Sequence, residues 1–483
     1  MIKALYMDDL YDWSWFRGTS LFDFAFKFYE STKYRPVFET IQYIIYMIVG
    51  TNPIRFTIIN KIYNAVVAIF IYYFVKSFSK DYIISFLTSI TYLISHFAYY
   101  QIGQGIGSLE TTALLLSLIV LYLCLRLMDD GIYKDINATR NLVLIYIFFF
   151  ILVFDHERYL SVALPIILSV ILSRKINSKR KRVIYLLIFL IEIAVITFIR
   201  FAAIGNVIPA GTGGTRVEET FSIKTFVKYF LYQIAIIFGM NIGPEHLFGI
   251  DFASVDNLPV KYATFISIAI ILIVVIVYII SKIKYSLKND NGGKLAVFYP
   301  DIAFLFFIGS VIASTSVTIR IEMRFVYTSF IASVIYFAYM CSFLCRHYNT
   351  KTIETIMILV FIGFFVTRMP IELLYRSYFD KIYCFVDTKR VNSIYDNTIG
   401  VYGVDDTLHN KRIYIINKYY GMTNFYAEYL FKIYDKEDIG NKINLVDDIS
   451  DIDPILIDEN SIILNEDIMS NTYVRVDNSS IGR

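Results

Sequence analysis

The chain has 483 residues, of which 57% are hydrophobic, 17% aromatic and only 18% charged, and its mean hydropathy is +0.56. A soluble domain averages about a quarter charged residues, so this balance excludes a soluble dehydrogenase, a nucleic-acid-binding module and a disulfide scaffold, and it requires a multi-span membrane protein. The net charge of +3 hides a split: residues 375–483 hold 12 Lys and Arg against 18 Asp and Glu, which leaves +9 on the first 374. Two environments and two domains, 1–374 and 375–483, are expected from that contrast. Four cysteines, three of them in or beside apolar runs and Cys384 alone in the tail, supply neither a disulfide framework nor a zinc site.

The chain opens with a polar segment, 1–36, that carries Met7-Asp8-Asp9-Leu10-Tyr11-Asp12-Trp13. Adjacent carboxylates beside an apolar surface have raised or split pKa values, which suits one of them to proton abstraction. The same oxygens suit a divalent cation, and a solvated loop with aromatic interface anchors is the plain alternative. Tyr34-Arg35-Pro36 follows, and then the apolar run Val37–Val49, too short to span and expected as an interfacial helix.

A hydrocarbon core needs about 20 apolar residues per helix. Ten spans are expected, at 54–75, 82–100, 109–127, 141–155, 159–173, 183–204, 261–281, 296–317, 325–345 and 353–374. Lys and Arg gather in alternate loops (Lys76 and Lys80, Arg126 to Arg140, Arg174–Arg182, Lys282 to Lys294, Arg346 and Lys351), whereas 101–108 has none. By the positive-inside rule those loops are cytoplasmic, which puts 1–36, 101–108, 155–158, 205–260, 319–324 and the tail outside. A polar first segment outside the membrane implies either that it translocates unaided or, the favoured reading, that a further helix of about 20 residues is encoded upstream of Met1.

The loops expected outside hold the informative polar residues. Gln101 to Glu110 has three glycines within five residues, at 103, 105 and 107, which permits close backbone approach. Asp155-His156-Glu157-Arg158 sets four ionisable residues between two apolar runs, costly unless they pair or work. Arg320-Ile321-Glu322-Met323-Arg324 opens the ninth span, and Gly243-Pro244-Glu245-His246 lies in the long loop. Glu192, mid-span, reads as a helix–helix hydrogen bond or a protonated carboxyl. In the tail, Arg412–Asn417, Lys442–Val446, Ser461–Leu464 and Thr472–Val476 read as strands and Met422–Tyr434 as a helix, giving a small α/β domain. The Asp-rich stretch Asp447–Asp458 lacks the EF-hand order and reads as a solvated surface.

The acidic pair, the Tyr34-Arg35-Pro36 motif, the apolar stretch, Gly50-Thr51-Asn52-Pro53 and a span with Asn60 and Asn64 one turn apart stand in this order. That ordered set resembles the GT-C superfamily of integral-membrane glycosyltransferases, which includes the protein O-mannosyltransferases. The resemblance is best over residues 1–165, weak to about 330 and absent in the tail. It implies an all-α polytopic bundle, a polyprenyl-phosphate-linked sugar as donor, a glycan, lipid or protein hydroxyl as acceptor, inversion at the sugar, and an active site on the outer face. In its terms Asp8 or Asp9 is the base and Glu157 a further catalytic residue, in a turn where the family has Lys-Glu before a Pro-containing span. His156 here replaces that usual lysine. Arg158, Arg320 and Arg324 would contact the donor phosphate, as a planar, permanently charged fork suits. Glu110, Tyr34, Arg35, His156 and His246 would line the site, with a divalent cation as the candidate cofactor. Two alternatives stay open: a lipid-linked-sugar transporter or flippase, and a non-catalytic membrane protein presenting its tail domain.

Overall fold

The computed structural model describes residues 1–6, 8–26, 33–129, 131–133, 136–205, 217, 220–241, 252–288, 295–379, 382–416, 423, 429–434 and 443–477. In chain order the helices are α1 Asp8–Gly18, α2 Leu21–Ala25, α3 Pro36–Val49, α4 Ile54–Ser79, α5 Tyr82–Ile94, α6 His96–Ile102, α7 Ser108–Met128, α8 Ala138–Asp155 and α9 Ala163–Leu172. They continue with α10 Lys179–Ile204, α11 Ile223–Ile237, α12 Leu258–Lys288, α13 Tyr299–Ser316, α14 Met323–Tyr348, α15 Lys351–Ser377, α16 Tyr383–Asn397, α17 Ile399–Tyr402 and α18 Val404–Asn410. Four strands close the chain: β1 Arg412–Ile416, β2 Ile443–Val446, β3 Ser461–Asp467 and β4 Thr472–Val476.

Among the described residues eight helices, α4, α7, α8, α10 and α12 to α15, are long and apolar enough to cross a membrane, so the chain is a multi-pass membrane protein. A ninth crossing is made if α5 and α6, bent by 53° at Ser95, count as one. The bend has a local cause. Ser95 is extended and its hydroxyl caps α6 by accepting from the Ala98 amide at 3.2 Å. The His96 amide leaves the helix ladder and donates to the Glu372 carboxylate of α15 at 3.0 Å. The segment expected as the fifth span differs from expectation: it is a 3-10 helix, Glu157–Val162, running into the 10-residue α9. The chain uses those first six residues to bring buried Glu157 and Arg158 toward other charges, and a continuous apolar helix could not do so.

Sequence decides which helices are central. The most apolar windows of α7 and α14 are 78% buried, with small and hydroxyl residues on every side, whereas that of α10 is 11% buried and offers Ile, Leu and Phe to lipid. The run Val37–Val49 forms a 14-residue helix with Phe38, Ile45, Tyr46 and Val49 buried. The four strands match the four β-branched runs of the tail, in the order β2-β1-β3-β4, with β1 parallel to β2 and β3, and β4 antiparallel to β3. Of Met422–Tyr434, expected as a helix, residues 423 and 429–434 are described, and 430–434 form turns and no helix. The core of the tail is shared. Ile413, Ile415, Ile462 and Leu464 belong to one apolar cluster with Ile2, Leu5, Leu10 and Trp13, so the first residues of the chain pack on the tail domain.

Candidate active site

The acidic pair begins α1, where carboxylates are favoured by the exposed helix N–H groups. Asp9 is held hard: its two oxygens accept from the Gly105 and Ile106 amides at 2.9 and 2.8 Å. Glycine is required there, because a Cβ on residue 105 would fall 2.6 Å from the Asp9 carboxyl carbon. Burial pushes the Asp9 carboxyl up to about 7 against the pull of the two amides, and Asp8 adds to the rise. Asp8 is exposed and makes no hydrogen bond among the described residues.

A cavity of about 350 Å³ is lined by Lys33, Arg35, His156, Glu157, Arg158 and Arg324 together with hydroxyls of α13 such as Ser314 and Thr315, and neither Asp8 nor Asp9 is part of its lining. The segment ahead of α3 supplies the first two residues, the 3-10 turn after α8 the next three, and the first turn of α14 the last. Each arginine that lines the cavity is fixed by a carboxylate. Arg35 grips Glu157 through two bonds of 2.6 Å, a fork-on-carboxylate geometry. Arg158 pairs with buried Glu110 and donates to the Arg324 carbonyl at 3.2 Å and the Tyr159 hydroxyl at 3.0 Å. Arg324 and Arg320 share Glu322, each at 2.5 Å.

The electrostatics follow from this packing. Burial alone would raise Glu157, but the Arg35 guanidinium outweighs it and holds the carboxyl well below the usual range. Burial, reinforced by Arg35 and Arg158, holds the His156 imidazole down at about 4, so it is neutral near pH 7 and offers its Nε2 to Glu110 at 3.5 Å. Burial and then Arg35 lower the Lys33 ammonium, against an opposing pull from Glu157 and a weaker one from Asp8.

The cavity therefore gathers Arg35, His156, Glu157, Arg158 and Arg324. Glu110 stands behind them as the counter-charge of Arg158, and Arg320 stands beside them on Glu322. Tyr34 does not line the cavity; its ring is buried in the bundle against Phe154. His246 lies outside the described residues. Sequence reasoning missed two cations. Lys33 has no motif of its own, and Arg200, near the end of α10, interacts with Glu157 and Arg35 while both its Nη atoms are buried without a hydrogen-bond partner among the described residues. An arginine in a span whose other ionisable groups are Glu192 and Tyr185 was the available signal. Both oxygens of Asp155 are likewise buried and unpartnered among the described residues. Among the described residues no three His, Cys, Asp or Glu side chains are grouped as a metal site.

No protein-family model matches the chain, and no curated protein or solved structure matches it either.

Proposed function

We propose that the chain is an inverting membrane glycosyltransferase that moves a sugar from a polyprenyl-phosphate carrier to an acceptor hydroxyl, with the cavity and the tail on the extracytoplasmic side. One observation carries this reading: four cations from three distant parts of the chain meet at one cavity, and three are arginines already oriented by carboxylates. Pre-oriented guanidinium groups at a partly dry cavity suit a phosphate that gains negative charge as it leaves. The scarcity of Lys and Arg in residues 101–108, beside the acidic pair, supports the assignment of sides.

In the proposed step the acceptor oxygen attacks the anomeric carbon and gives its proton to Asp8, the carboxylate of the pair that is not committed to backbone amides. The bond from the anomeric carbon to the phosphate oxygen breaks, and its electron pair leaves on the lipid phosphate, facing Lys33, Arg35, Arg158 and Arg324. Asp9 holds the pair in place through Gly105 and Ile106.

The test incubates purified protein with polyprenyl-phosphate sugars radiolabelled in the sugar, in the presence of glycan, lipid and peptide acceptors. Release of polyprenyl phosphate in step with labelled acceptor is the expected result. Label that crosses a proteoliposome bilayer still attached to its lipid would establish the flippase instead. Label that neither moves nor transfers, with any donor, would end the proposal.

A further inference from the structure

Helix α16, the first of the tail, has two working faces. On one, Arg390 Nε donates to Glu466 at 2.7 Å, Ser393 Oγ accepts from the Tyr473 amide at 2.6 Å, and Asn397 Nδ2 donates to the Tyr473 carbonyl at 3.0 Å. These bonds fix the helix to β3 and β4. A neighbouring face, about 110° around the helix, presents Phe385, Asn392 and Asp396, spaced i, i+7 and i+11 and so within an arc of about 40°.

That second face grips two pieces of the membrane domain. Asn392 Oδ1 accepts from the Lys3 amide at 2.8 Å and its Nδ2 donates to the Met1 carbonyl at 2.9 Å, so one side chain holds the backbone of the N-terminal segment at two points. Asp396 takes the Lys3 ammonium at 2.6 Å, and the Tyr434 hydroxyl of the tail donates to the Lys3 carbonyl. A few residues on, this segment enters α1 with Asp8 and Asp9, the Asp9 amide bonding the Tyr6 carbonyl at 3.1 Å. The Phe385 ring meets Gly103, where a Cβ would fall 2.4 Å from a ring carbon. Gly103 begins the loop whose next amides, Gly105 and Ile106, hold the Asp9 carboxylate.

We infer that α16 is a splint: the tail domain positions the acidic pair, gripping the segment before it through Asn392 and the glycine loop beneath it through Phe385. Asn392 and Phe385 are positioning residues that touch no substrate. The kinetic consequence rests on reading Asp8 and Asp9 as the reaction's carboxylates, and the mechanical one does not.

Hydrogen exchange and donor kinetics on the full chain in nanodiscs, for wild type, Asn392→Ala and Gly103→Ala, test both. Exchange across residues 1–6 and 103–107 should rise about tenfold in either variant while residues 461–476 keep their protection. The kcat should fall about 10²-fold with the KM for the polyprenyl-phosphate sugar unchanged. Asp396→Asn, which removes only an exposed ion pair, should raise exchange over the same two segments by less and keeps the test valid if the other variants fail to fold. Unchanged exchange at 103–107 in every variant would overturn the splint, and so would opened segments with full kcat. If wild-type protein transfers no sugar, the exchange result alone decides the splint, and the transferase reading falls separately.

Discussion

At the end of the bundle away from the tail, the Lys282 ammonium of α12 lies 2.6 Å from Asp301 of α13, whose other oxygen accepts the Tyr278 and Tyr336 hydroxyls at 2.5 and 3.1 Å. The Tyr339 hydroxyl next to it bonds Asp129 at 2.8 Å, and the rings of Tyr278, Tyr339 and Phe343 surround the ammonium. At the tail end Arg35, Arg158 and Arg324 are paired as well, yet they border a cavity, with Lys33 added and with Asp155, Arg200 and two nitrogens of Arg158 left without hydrogen-bond partners among the described residues. One cluster is closed and satisfied, as a structural ion pair in a membrane must be. The other keeps two Arg158 nitrogens unpartnered beside open space, a cost that a ligand's oxyanion would offset.

The contrast breaks most sharply at the acidic pair. Asp8→Asn should lower turnover about 10²–10⁴-fold while insertion and thermal stability stay as in wild type, because an exposed carboxylate adds little to folding but a general base is lost. Next comes the closed cluster. Lys282→Ala should cost about 3–5 kcal/mol, read by thermal unfolding in detergent, because it strands a buried carboxylate. Replacing both partners, Lys282→Met with Asp301→Leu, should recover most of that loss, and turnover per folded molecule should not change.

A pH scan sharpens the comparison at the third level. His156 is held at about 4, below the ordinary histidine value of 6.5, so the unfolded chain takes up a proton that the folded one refuses. The His156 contribution to stability then falls as pH drops from 6.5 toward 4, by on the order of 3 kcal/mol, while Asp9, held at about 7, contributes with the opposite sign. The test is therefore the difference between wild type and His156→Gln, which should lose the histidine limb alone. The smallest effect is at Arg324. Arg324→Ala should cost about 1.5–3 kcal/mol in kcat/KM for the lipid donor, the worth of a charged hydrogen bond, and leave acceptor KM unchanged.

Much of the scaffold was legible in the sequence. Apolar runs gave the eight long helices, and four β-branched runs gave the four strands, since these patterns are local. Three glycines at 103, 105 and 107 were read as allowing close approach, and the Asp9 carboxylate is one group that approaches. Other features were hidden because they depend on distant partners. The run 159–173 looked like a span until Glu157 met Arg35 and Arg158 met Glu110. The polar sequence of α16 shows no apolar stripe, and its role comes from contacts nearly 400 residues away along the chain, as with Lys3 and Asn392. Lys33 gave no signal because its importance lies in the company it keeps, the cavity that it lines with Arg35 and Glu157.

The claim that the tail-end cluster holds the donor phosphate is tested most directly by photocrosslinking. A polyprenyl-phosphate sugar carrying a diazirine next to the phosphate would be irradiated with the purified full chain, and the adducts mapped by mass spectrometry. Adducts should fall on the peptides that contain Lys33 and Arg35, His156 to Ser161, and Ser314 to Phe325, and should be lost on competition with unlabelled polyprenyl phosphate. Adducts around Lys282 and Asp301 instead, or none at the cavity when the lipid is saturating, would contradict the account.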